Sequence, residues 1–302
     1  MKKLFFLLLT SIAFGQIPKV SSGTIQRLEN FKSNYVDSRN IDVWLPDGYS
    51  ESQKYAVLYM HDGQMLYDAE TTWNKQAWEV DAIAGKLIQE RKTKPFIVVG
   101  IWNNGQKRHP EYFPQKPYES LNLVQKDTIT AQLQKAGRTK EVFQPISDLY
   151  LKFLVTELKP YIDEHFSTLK NRENTVIAGS SMGGLISMYA ICEYPEVFGG
   201  AACISTHWPG TFSSQNNPIP DAFINYMESH LPNPKTHKFY FDYGNKTLDA
   251  LYPDLQKKVD ILMKKKKFKK TNWTTQFFEG KDHSEKSWAE RLPIPFEFLL
   301  KK

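Results

Sequence analysis

A serine attacks a carbonyl carbon only when a base takes its proton and nearby donors receive the oxyanion that forms. Residues of these types recur in this chain in a telling order. Gly179-Ser180-Ser181-Met182-Gly183 fits the pattern G-x-S-x-G, set between an apolar run at 175–178 and a stretch rich in small residues at 182–193. On a strand-to-helix turn this pattern lifts the serine Oγ into solvent, and the flanking glycines let neighbouring backbones approach. Ser181 is the expected nucleophile rather than Ser180, because glycine stands two residues to either side of it alone. The N-terminus of the following helix aims free N–H groups, that of Met182 first, at the developing oxyanion.

The base is expected after the last strand. Of the seven histidines, only His283 lies there, beyond Phe278-Glu279-Gly280 and before a helix predicted over 286–300. An imidazole with an ordinary pKa of about 6.5 takes a serine proton at neutral pH and returns it to the leaving group. His61 and His207 also follow predicted strands, but the chain order serine, acid, histidine argues against either as the base. The acid must follow the strand at 238–242, which leaves Asp242 and Asp249. The strand is still running at Asp242, whereas Asp249 falls in the loop after Gly244, and Asp249 is the expected partner of His283. An ordinary helix-capping role for Asp249 is the competing reading.

Ala178-Gly-Ser-Ser-Met-Gly-Gly-Leu185, followed by Tyr194-Pro-Glu-Val-Phe-Gly199, resembles the putative esterase (esterase D-like) family of α/β hydrolases. The likeness extends to Tyr59-Met-His-Asp-Gly-Gln64, to Val98-Val-Gly-Ile101 with Arg108 and Glu111-Tyr112 beyond it, and to Gly280, His283 and Trp288. That family includes siderophore esterases, feruloyl esterases, S-formylglutathione hydrolases and mycolyltransferases. The resemblance implies that the backbone N–H of Gln64 is the second oxyanion donor, with Gly63 permitting the turn. It also implies an acid shortly after the glycine that ends the 238–242 strand, commonly as Gly-Thr-x-Asp; here the aspartate comes two residues later.

The elements that must hold these residues are legible as short buried runs. Strands are predicted at 41–45, 55–60, 96–101, 175–178, 201–204, 238–242 and 274–278, mostly apolar on both faces, as in a parallel sheet covered by helices. Helices are predicted over 146–166, 182–193, 252–265 and 286–300, so the fold class is α/β, of the α/β-hydrolase type, with antiparallel first strands. Residues 103–147 are polar and patchily periodic, the pattern of a lid-like insertion. Trp73, Trp102, Tyr112, Trp208 and Trp288 stand on segments expected to face the site, as substrate platforms or as packing. Arg108 and Glu111 are placed to touch substrate or to pair with each other.

Residues 1–15 read as a signal peptide: Lys2 and Lys3, an apolar run at 4–14, then Ala13 and Gly15 before a cleavage point ahead of Gln16. The expected location is secreted or periplasmic. The remainder, 16–302, suits a single domain. The chain carries a formal net charge of +6, but its lysine run at 264–270 ends a predicted amphipathic helix and gives no reason to expect nucleic acid. Two cysteines, Cys192 and Cys203, allow at most one bridge. No metal-ligand spacing or cofactor motif is present. These residues predict hydrolysis of a carboxylic ester through an acyl-serine, on a plant-polysaccharide acyl or feruloyl ester or on a siderophore ester. An acyltransferase on the same triad and a binding protein on an inactive hydrolase fold are the other readings.

Overall fold

The computed structural model describes residues 16–213 and 216–302; the segment read as a signal peptide lies outside them. Among the described residues, eight strands form one sheet in the order β1-β2-β4-β3-β5-β6-β7-β8. They are β1 (Thr24–Phe31), β2 (Arg39–Leu45), β3 (Ala56–His61), β4 (Phe96–Ile101), β5 (Thr175–Ser180), β6 (Gly200–Ile204), β7 (Lys238–Tyr243) and β8 (Trp273–Phe277). Strand β2 pairs antiparallel with β1 and with β4, and the pairs from β4 through β8 are parallel. Strands β3, β4, β5 and β6 are buried along their whole length. Their near-continuous apolar runs follow from helices covering both faces.

One face packs against helices Met182–Glu193, Ile219–His230 and Pro253–Lys265, with Leu185, Phe223 and Val259 among the buried contacts. The other packs against Val80–Gln89 and the C-terminal helices, through Val80, Leu87, Trp288 and Phe296. Burying each such side chain stabilises the fold by roughly 1.5–3 kcal/mol before entropy is counted.

Three expectations are corrected. Strand β1 was not predicted: it is an edge strand of polar and half-buried residues, without the apolar signal of the others. The helix expected over 146–166 is continuous in path but widens to a π-type turn over Leu154–Leu158. Pro160 supplies no N–H to the regular ladder there. The final helix is two helices, Glu285–Arg291 and Pro293–Leu300, because Pro293 begins a new one.

The stretch 103–147 carries helices Arg108–Tyr112, Gln115–Glu119 and Leu123–Lys135. Its Tyr112, Phe113, Tyr118, Ile129 and Phe143 join the main hydrophobic cluster. A buried two-bond ion pair, Glu111 with Arg39 at 2.7 and 2.9 Å, ties it to β2. Cutting one half of such a pair costs about 3–5 kcal/mol, because the other charge is left stranded. Cys192 and Cys203 are free, buried thiols.

Candidate active site

Ser181 follows the last residue of β5 and precedes the first residue of helix Met182–Glu193. Its φ of 57° and ψ of −120° lie where non-glycine residues rarely go. The strain is held by backbone hydrogen bonds: Ser181 N–H donates to the Ile204 carbonyl at 2.9 Å, and His207 N–H donates to the Ser181 carbonyl at 3.1 Å. A Cβ on Gly179 would sit 2.7 Å from the Gly183 carbonyl carbon, so glycine is obligatory there. Gly183 is less constrained than the motif predicts, since a Cβ on it would meet His61 Cβ at an ordinary 3.4 Å.

Across the site, the turn after β3 begins at Asp62, whose φ of 58° is left-handed. Gly63 follows, and a Cβ on it would lie 2.5 Å from the Gly100 carbonyl carbon. Gln64 is the second residue of the short helix Gly63–Met65, and Met182 is the first of its helix. Neither position offers its N–H an intrahelical carbonyl, so both amides are available to an external acceptor. Gln64 and Met182 line the same cavity as Ser181.

His283 Nδ1 lies 2.6 Å from Asp249 Oδ1. The pair is built by two loops bound edge to edge. Asn245 and Lys246 donate their N–H groups to the Lys281 carbonyl at 3.1 and 3.0 Å, and His283 N–H donates to Thr247 Oγ1 at 3.0 Å. Gly244 makes this approach possible, because a Cβ there would be 2.1 Å from the Lys281 oxygen. Its N–H donates to Asp249 Oδ2 at 2.7 Å, and Ser205 Oγ lies 2.6 Å from the same oxygen. Burial opposes ionisation of Asp249, but His283, Ser205 and Gly244 together hold its carboxyl below the ordinary range. Asp242 is fully buried beneath the site and pairs with Arg291 at 2.9 Å, not with a histidine. Burial pushes its carboxyl up, with Arg291 opposing.

Ser181, His283, Gln64 and Met182 open on one cavity of about 740 Å³. Of the seven residues expected to face the site or touch substrate, three line it. Trp73 stands 84% exposed at its wall, Trp288 is buried with its ring edge-on to His283 at 4.9 Å between centroids, and Arg108 is partly exposed. Arg108 does not pair with Glu111; its Nε and Nη2 grip the two oxygens of Asp62 at 2.7 Å each. Burial alone would raise the Asp62 carboxyl, and the charge and hydrogen bonds of Arg108, with Asn103, outweigh it and hold it low. Tyr112 and Trp208 are packed out of the cavity: Tyr112 is fully buried in the main core, and Trp208 Nε1 donates to Gln256 at 2.9 Å. Trp102 likewise turns away and donates to Asp42.

Sequence reasoning missed three contributors. Tyr252 Oη lies 2.9 Å from His207 Nδ1 and also faces the Ser181 hydroxyl. Ser205, with φ of 40°, and Arg291 are buried behind Asp249. No motif marks any of them; the only available signal was that Ser205 follows β6, the strand beside β5, and that Arg291 follows Trp288 by one helical turn. His61 and His109 are held neutral by burial, each with a pKa lowered to about 3. His207 is driven well below the imidazole range by the same cause.

A family model described as "Putative esterase" matches residues 33–298. An endo-1,4-beta-xylanase/feruloyl esterase of Xylanibacter ruminicola is 27% identical over 230 residues, 74% of this chain. The match spans 24% of that protein's length. Among solved structures, a ferulic acid esterase from Anaeromyces mucronatus superposes with a TM-score of 0.59 at 19% identity, covering 94% of each chain. The enterobactin esterase of Shigella flexneri gives a TM-score of 0.65 at 15% identity, covering 93% of this chain and 61% of that one. At such identities the superpositions establish the fold, an α/β-hydrolase fold with a mostly parallel eight-stranded sheet. The family-model match spans most of the chain, and the chain belongs to this esterase family.

Proposed function

We propose that this chain is a serine hydrolase that cleaves carboxylic esters through an acyl-serine intermediate. The observation that carries the proposal is the pairing of His283 with Asp249 at 2.6 Å in the cavity onto which the strained Ser181 turn opens. In this reading the imidazole Nε2 takes the Ser181 proton as Oγ attacks the ester carbon. Asp249 holds Nδ1–H and stabilises the imidazolium. The Gln64 and Met182 amides receive the oxyanion. The proton passes to the departing alkoxide, and water then repeats the sequence on the acyl-serine to release the acid.

The substrate class we propose is an acyl ester on a plant polysaccharide, a feruloyl ester foremost. The cavity offers exposed ring surface at Trp73 and Phe212, and hydrogen-bonding groups at Asn74, Asn103 and Gln106. Those features suit an aromatic acid on a hydroxyl-rich alcohol, and one relative's name joins xylanase and feruloyl esterase. Purified protein given p-nitrophenyl acyl esters, a feruloylated arabinoxylan oligosaccharide and a tris-catecholate trilactone tests this. Fastest release of ferulate supports the class. Preference for the trilactone moves the assignment to siderophore esters, and release of none of the acids rejects ester hydrolysis. Export belongs to the same proposal: cells expressing the full chain should yield secreted or periplasmic protein beginning at Gln16.

A further inference from the structure

Behind the His283–Asp249 pair lies a second polar layer that the reaction scheme above does not use. Ser205 Oγ sits 2.6 Å from Asp249 Oδ2, 2.6 Å from Arg291 Nη2 and 3.1 Å from Trp288 Nε1. A hydroxyl has one proton and two lone pairs. Both lone pairs are taken by N–H donors, because neither an indole nor a guanidinium can accept. The single hydroxyl proton is therefore committed to Asp249. Trp288 and Arg291 stand three residues apart on helix Glu285–Arg291, one turn of the same face, and that helix begins directly after His283-Ser284.

Arg291 is 2% exposed. Its Nη2 lies 2.9 Å from Asp242 and 3.9 Å from Asp249. Its Nε and Nη1 have no hydrogen-bond partner among the described residues, and its charge lies over the Phe278 ring at 5.1 Å. A buried cation satisfied on one edge only is an expensive way to fill a core. Asp242 is in turn fixed by Tyr240 Oη and the Ser205 N–H, each at 3.0 Å. The whole assembly is locked to the ends of β6 and β7.

We infer that Ser205 and Arg291 are positioning residues for catalysis, with Arg291 setting through Ser205 the orientation and charge of the triad carboxylate and thereby the proton affinity of His283. The inference rests on the proposed serine-hydrolase reading. The other groups facing His283 are Tyr252 and His207 on one side, and Asp282 on its own loop; none of them is altered by the test. Loss of the Arg291 charge removes a cation from the neighbourhood of the imidazolium, which makes the imidazole more basic.

The test is the acid limb of the kcat/KM profile on p-nitrophenyl acetate for Arg291→Met, Arg291→Lys and Ser205→Ala. The Nδ1–H proton of His283 is followed in parallel by low-field NMR. Arg291→Met should move both the kinetic limb and the NMR titration upward, by on the order of half a pH unit. Arg291→Lys, which keeps the charge, should restore the wild-type midpoint. Ser205→Ala, which keeps the fold if Arg291→Met does not, should lower kcat by roughly ten- to a hundredfold with KM little changed. A variant that only melts earlier, with limb and titration unmoved or moved downward, overturns the inference. Wild-type protein that shows the His283 titration but hydrolyses no ester would instead sink the hydrolase reading, and the NMR comparison separates the two failures.

Discussion

The proposed nucleophile and the proposed base of this site are built in opposite ways. The Ser181 turn is local: strand, strained residue and helix follow one another within β5 and Met182–Glu193, and the glycines that permit the turn are neighbours in sequence. The His283–Asp249 pair is assembled from distant pieces, with loops after β7 and β8 joined through the Lys281 carbonyl and backed by Ser205 from the end of β6. The local turn is specified by steric exclusion at Gly179, so a Cβ there destroys it. The distributed pair needs the close approach at Gly244 and is otherwise held by hydrogen bonds, each worth about 0.5–1.5 kcal/mol net, or more where a charge is involved. The first should fail all at once under substitution, and the second by degrees.

The largest expected effect tests the local half. Ser181→Ala should reduce kcat on a short-chain ester by roughly 10⁶-fold while the thermal melt stays cooperative. Turnover within tenfold of wild type would show that the strained turn does not carry the nucleophile.

The next largest tests the distributed half. Asn at position 249 offers an amide where the imidazole Nδ1–H needs a carboxylate, favouring the wrong tautomer, so Asp249→Asn should cost about 10⁴-fold in kcat. Asp242→Asn removes a charge from Arg291 but leaves the 2.6 Å contact in place, so its main cost should be in stability, with a much smaller loss of rate. If the two variants exchange these effects in a steady-state assay, the acid is Asp242 and the geometry described here does not operate.

The smallest effect separates the halves by pH. His61 packs beside the Ser181 turn, and burial lowers its pKa from 6.5 to about 3; His109 shares that shift. The unfolded chain binds protons that these residues refuse when folded. Their contribution to stability is therefore complete above about pH 6.5 and drains away as pH falls toward 3, by up to ~1.4 kcal/mol per pH unit for each group. Asp249, with a carboxyl held below 3.8, keeps its contribution above that value and loses it only in stronger acid. Calorimetry from pH 8 to 4 should show Tm falling below about pH 6.5, and His61→Gln should flatten the slope. An identical slope in that variant would show that His61 does not set the acid limit of stability.

How much of this was legible in the sequence follows the same division. The strained turn at Gly179-Ser180-Ser181 could be read from spacing alone, because strand, glycines and helix are contiguous. The central strands were legible because burial on both faces leaves an unbroken apolar run, whereas β1, polar and at the edge, left none. Asp249 was readable as a candidate only because a glycine and a strand end preceded it; that it meets His283 depends on the approach of Gly244 to Lys281, a contact between segments far apart in the chain. Aromatic type did not distinguish an exposed wall residue such as Trp73 from a core residue such as Tyr112, since both environments favour large rings. Ser205 and Arg291 left no mark, because a buried serine or arginine acquires its role only from what surrounds it.

If an acyl group passes through Ser181 Oγ, intact-protein mass spectrometry should catch it there. Mixing the enzyme with a p-nitrophenyl acyl ester and quenching in acid should give one added acyl mass, and peptide mapping should place it on Ser181. Asp249→Asn should accumulate the same adduct more slowly, and Ser181→Ala should give none. An adduct on Ser180 or on a lysine, or rapid hydrolysis with a fluorophosphonate bound at neither serine, would rule out Ser181 as the acyl carrier.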